Sequence, residues 1–140
     1  MAAQRHVKEK RRGLALVEAA LVIPLLFLVL FGMLEYSWAF LKVQQLNGAA
    51  RQGARAGIVQ GAVNADVTAA VTQVMTDAGL AGLYTVDLAP NDVSTIDAGD
   101  PLTVTVTCTY ADIELIGMPL IPTPTVVEGR TSMAKEGPID

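Results

Sequence analysis

The sequence predicts an α+β chain: a long N-terminal transmembrane helix continuing outside the membrane, a second amphipathic helix and a small antiparallel sheet of about three strands. Three observations carry this prediction. Between Leu14 and Leu41 only Glu18 and Glu35 carry charge, and the run between them is almost wholly aliphatic or Phe. Val67, Val71, Val74 and Ala78 recur at the spacing of one helix face. Val104, Val106, Cys108 and Tyr110 alternate with Thr103, Thr105, Thr107 and Thr109, the period of a strand with one buried face.

The elements follow in chain order. Residues 1–13 form a short polar leader in which Arg5, Lys8, Lys10, Arg11 and Arg12 outnumber Glu9. From Asp66 onward, eleven carboxylates face only Arg130 and Lys135. Basic flanks stay on the cytoplasmic side, so this asymmetry places the leader in the cytoplasm and the acidic part outside. A bilayer core about 30 Å thick needs roughly 20 apolar residues, and the run from Leu14 supplies them. Pro24 removes one backbone hydrogen bond and predicts a kink near Ala20, which membrane helices tolerate. Tyr36, Trp38 and Phe40 then read as interfacial anchors.

Helix formers continue past Leu41. Val43, Leu46, Ala50 and Ala54 mark one face, and Ala49, Gly53, Gly57 and Gly61 form an adjacent small-residue stripe that permits close helix approach. One helix from near Leu14 to near Val59 would be about 70 Å long. Asn64 is read as the N-cap of the second helix and Gly79 as its stop. Strands are expected at Leu83–Leu88, Leu102–Ala111 and Thr125–Ala134, the last preceded by a turn region around Pro119, Pro122 and Pro124. Three segments result: a basic cytoplasmic leader (1–13), a transmembrane and extended helix (14–60) and a small exported head (61–140).

No enzymatic constellation emerges. The one histidine, His6, lies in the leader, across the membrane from Cys108 and the exported serines. No phosphate-binding glycine loop, cofactor motif or metal-ligand spacing is present. Asp92, Asp97 and Asp100 share a loop but lack EF-hand spacing, and read as solvated acids. Cys108 is the single cysteine and is expected as a buried free thiol. The basic leader has no aromatic or folded support for nucleic-acid binding.

Glu18 stands out, because a carboxylate costs about 2.5–3.5 kcal/mol at the centre of a membrane helix and less toward its ends. Snorkelling toward Arg11 or Arg12 is one account of it. Glu35 lies 17 residues on and is read as sitting at the outer interface. The run from Arg12 through Gly13, Leu14, Ala15, Leu16 and Val17 to Glu18 resembles a type IV prepilin-type processing site. With Asn47, Ala49, Arg51, Gly53, Arg55 and the preceding span, the pattern is similar to the TadE-like proteins of tight-adherence (Flp) pilus systems. Ala19 stands where that family often has an aromatic.

The resemblance implies a pilin-like fold and cleavage after Gly13 by a prepilin peptidase. It further implies a non-catalytic role as a minor pseudopilin-like subunit in pilus assembly at the bacterial inner membrane. Cleavage would free an ammonium at Leu14 to neutralise Glu18. The helix carrying Glu18, Pro24, Asn47, Ala49, Arg51, Gly53, Arg55 and Gly57 would pack against other pilus subunits and the assembly platform. The alternative is an uncleaved single-pass anchor for an extracytoplasmic binding module.

Overall fold

The computed structural model describes residues 2–137, with side chains from Ala15 onward. The processing-site expectation at Gly13 and Leu14 therefore falls outside the described side chains. The first element, α1, is one helix, Ala2–Ile58, about 85 Å long at 1.5 Å per residue. It begins earlier than the apolar run because the leader is rich in Lys, Arg, Glu and Gln, all strong helix formers. α1 passes through Pro24 as continuous helix.

Burial divides α1 sharply. The most apolar window of the helix has none of its residues buried, and Leu21 and Leu26 are 73% and 62% exposed. From Glu35 the pattern changes: Glu35, Ala39, Lys42, Leu46, Ala49 and Gly53 are all buried at alternating steps of four and three. That is a single helical stripe, and the rest of the chain folds against it.

The second helix, α2, spans Asn64–Asp77. Its cap differs from the sequence expectation. Val63 is the cap residue, its N–H donating to the Asp66 carboxylate at 2.9 Å, and Asn64 is the first helical residue. Asn64 is used elsewhere: its Nδ2 donates to Asn91 O at 2.7 Å and its Oδ1 accepts from Val93 N at 2.8 Å. Both bonds pin the loop after the first strand. Asn64→Ala is expected to cost about 1–2 kcal/mol through the lost partner of the Val93 amide, measured by urea unfolding. At the other end the N–H of Gly79 donates to Thr76 O and that of Leu80 to Met75 O. This pairing needs a left-handed residue, and Gly79 supplies it at φ 71°. The buried face of α2 is Val67, Val71 and Met75, so Met75 joins the core, while Val74 and Ala78 are half-buried.

The sheet is a meander in which β1 (Thr85–Ala89), β2 (Pro101–Thr109) and β3 (Val126–Ala134) lie in the order β1-β2-β3, all antiparallel. Val106 pairs with Val86 on one side and with Gly129 on the other. The alternation in β2 is realised: Leu102, Val104, Val106 and Cys108 are buried beneath the helices, and the threonines between them are part-exposed. A two-layer head results, with α1 and α2 on one face of three strands.

Candidate functional site

The place where the apolar half of α1 meets the head holds the most concentrated chemistry of the described residues. Glu35 lies on the stripe that faces the head and is 1% exposed. The chain leaving β2 makes a short 3-10 turn at Tyr110–Asp112 that aims the Tyr110 ring back at α1. The Tyr110 hydroxyl donates to Glu35 Oε1 at 2.6 Å, the Leu115 N–H to Oε1 at 3.2 Å and the Ile116 N–H to Oε2 at 2.9 Å. One carboxylate thus collects three donors, which is how a buried acid is stabilised without a cation.

Burial first, then the hydrogen bond and charge of Glu35, push the Tyr110 hydroxyl far above the ordinary tyrosine range. It therefore serves as a fixed donor. Because the folded pKa is raised, the stability it contributes is complete below the unfolded value of about 10 and is lost as pH rises beyond it.

Two neighbours on α1 extend the junction. Tyr36 donates its hydroxyl to Pro122 O at 2.6 Å, and Trp38 donates its ring N–H to Ile113 O at 2.7 Å. Of the three residues read as interfacial anchors, Tyr36 and Trp38 are tied to the head's backbone, and Phe40 is 71% exposed. Lys42 is buried with its Nζ 4.4 Å from the centroid of the Trp38 ring, a cation–π contact. Charge, ring and carbonyl thus form one chain of contacts.

The small-residue stripe meets partners inside the chain. A Cβ at Gly53 would lie 2.6 Å from Val71 Cγ2, and one at Gly57 would overlap Leu102 and Val67. Ala49 is fully buried, and Asn47 Oδ1 accepts from the Arg130 N–H at 3.1 Å. The close approach implied by the spacing is made to α2 and the sheet. Arg51 and Arg55 are exposed on the opposite side. Glu18 and Pro24 are exposed on the apolar half, far from the head's core.

Other expected features take structural positions. Cys108 is a free buried thiol, and burial pushes its pKa up, so it is held as the poorly nucleophilic thiol. Asp92 Oδ1 accepts from the Ser94 N–H and hydroxyl, capping a 3-10 turn. Among the described residues no group of three or more His, Cys, Asp or Glu is placed to hold a metal ion.

Sequence reasoning missed the role of Glu35, which is the centre of the junction and not merely a charge at an interface. The signal was present in phase: Glu35, Ala39, Lys42, Leu46, Ala49 and Gly53 share the step of the buried face. Lys42 and its stacking on Trp38 were missed for the same reason.

Fold and junction together define a class: a small α+β head clamped onto one end of a single helix whose other end is long, apolar and uncovered enough to cross a bilayer. Within that class, residues 13–55 match the family model described as TadE-like protein, a pilus-associated family. The matched segment runs from the Gly13 motif through the apolar half and into the buried stripe. No curated protein and no solved structure matches the chain.

Proposed function

We propose that this chain is a minor pilin-like subunit, a pseudopilin, that acts in assembly of a tight-adherence (Flp-type) pilus and catalyses no reaction. The observation that carries the reading is the position of the TadE-like match: it covers the Gly13 to Glu18 motif and the apolar part of α1 that the head leaves exposed. Such a helix needs apolar surroundings, which the bilayer supplies before assembly and other helices supply within it.

A prepilin peptidase cuts after Gly13, and Leu14 becomes the N-terminus. Its ammonium lies one helical turn from Glu18, about 6 Å along the axis. Within lipid, that amine and the Glu18 carboxylate of the same or a neighbouring subunit neutralise one another, which sets helix register because an unpaired charge there is costly. The leader is cytoplasmic, the head extracytoplasmic, and the partners are other pilus subunits and the inner-membrane assembly platform.

N-terminal sequencing of protein extracted from membranes of cells with active prepilin peptidase tests the first step. A chain beginning at Leu14 supports it, and an intact leader overturns it. Glu18→Ala should leave membrane insertion unchanged and abolish, or reduce by at least tenfold, the pili counted by electron microscopy. Normal piliation would refute the pairing role.

A further inference from the structure

The chain between Asp112, at the end of the 3-10 turn, and β3 returns toward the apolar half of α1. From Leu115 to Val127 it carries no charge, in a region otherwise dominated by carboxylates; Glu114 and Glu128 bound it. Ile121 and Val127 are buried, but four of its apolar side chains point away from the core: Leu115 is 48% exposed, Ile116 and Met118 37% each, and Leu120 73%. Met118 and Leu120 border a groove on α1 whose other walls are Pro24, Leu25, Phe27, Leu28 and Phe31. Those helix residues lie four to eleven positions before Glu35, about 6–16 Å along the axis toward the far side. The loop thus reaches back beside the segment that crosses the bilayer.

We propose that the loop 115–122 is a second membrane-inserted element, with Leu115, Ile116, Met118 and Leu120 packed among the lipid acyl chains of the leaflet on the head's side. The proposal rests on the reading of α1 as a membrane span. The occupant is lipid because the groove floor is continuous with the apolar run of α1, none of which is buried, so the medium that solvates that run also solvates the loop beside it.

The loop backbone is suited to this environment, where unpaired N–H and C=O groups are costly. Pro119 and Pro122 have no N–H to satisfy. The Leu115 and Ile116 N–H groups donate to the Glu35 carboxylate, and the Ile121 N–H donates to Met118 O at 3.0 Å. Carbonyls are served by α1: Pro122 O accepts from Tyr36 and Ile113 O from Trp38. The junction at Glu35 therefore does more than join head to helix. It delivers an apolar loop to the membrane with three of its six N–H groups already bonded. Two membrane contacts in place of one fix the rotation and tilt of the head, and they cover the Pro24–Phe31 face of the helix, leaving other faces for neighbouring subunits.

The test places an environment-sensitive nitrobenzoxadiazole label at single cysteines in full-length Cys108→Ser protein, reconstituted in phosphatidylcholine nanodiscs at one chain per disc. Leu120→Cys and Met118→Cys probe the loop, Leu26→Cys the span and Asp97→Cys the solvated head. Spin-labelled lipid should quench the labels at 118, 120 and 26 at least threefold more than the label at 97, and aqueous iodide should show the reverse order. Iodide quenching at 118 and 120 equal to that at 97, with position 26 still protected, overturns the loop insertion and leaves the span intact. Iodide access at 26 overturns the span and the loop insertion with it. Protection of 118 and 120 that appears only when several chains share a disc assigns the groove to a second copy and also overturns the proposal.

Discussion

Glu35→Ala is expected to release Tyr110, Leu115 and Ile116 from their shared anchor on α1 and to destabilise the head by about 3–5 kcal/mol. The substitution strips one buried acceptor from three donors, the Tyr110 hydroxyl and the N–H groups of Leu115 and Ile116, and each donor left unpaired costs about 1–3 kcal/mol. Partial access of water to the two loop amides holds the total below the simple sum. Glu35→Gln keeps the shape and one acceptor oxygen but turns an NH₂ toward the Ile116 N–H, so about half the loss is expected. The only tryptophan, Trp38, reports on this joint directly because its ring N–H bonds Ile113 O. Urea unfolding of the full chain in detergent, followed by Trp38 fluorescence, measures both variants. A change within about 0.5 kcal/mol for Glu35→Ala would show that the carboxylate carries no structural load.

Gly129→Ala should be comparably damaging for a different reason. β3 crosses α1 at Gly129 so closely that an added Cβ would overlap the backbone of Leu46 and Asn47. Helix backbone cannot rotate away as a side chain can, so relief requires separating β3 from α1 along the contact that also holds Asn47 Oδ1 against the Arg130 N–H. Overpacking of this kind costs about 3 kcal/mol. At Gly53 the atoms met are side-chain methyls of Val71 and Val67, so Gly53→Ala should be the milder of the two. Measuring both by the same urea unfolding tests the distinction, and equal losses would contradict it.

The stripe on α1 shows how far periodicity carries an argument. Its spacing announces a close contact, and the close contact exists. What spacing alone leaves open is the partner: the small residues at 49, 53 and 57 suit a neighbouring subunit as well as they suit this chain's own helix and strands. The structure assigns Gly53 to Val67, Val71 and Val104, and Gly57 to Leu102 and Val67. The faces of α1 left uncovered are therefore the apolar half away from the Pro24–Phe31 groove and the exposed side carrying Arg51 and Arg55. Aromatic residues teach a similar lesson. Tyr36, Trp38 and Phe40 have the composition of an interfacial belt, yet Tyr36 and Trp38 direct their polar atoms at backbone carbonyls of a loop more than seventy residues away.

Glu18 and Glu35 began as two similar anomalies, acids at either end of one apolar run. Glu18 has a local sequence context, the Gly13 motif one turn away, and that context was readable. Glu35 has a context only in space. Its donors lie 75 to 81 residues along the chain, so no window of sequence around it contains them. Helix, strand and turn were determined by the sequence itself, because the 3.6 and 2.0 periods and the glycine stop at Gly79 act over a few residues. Tertiary structure alone decided where the uncovered helix ends, which buried acid clamps the head to it, and that a proline-rich loop returns alongside the apolar half of α1. Those outcomes depend on contacts between distant segments, and a buried polar group is satisfied by whatever donors the whole fold brings to it.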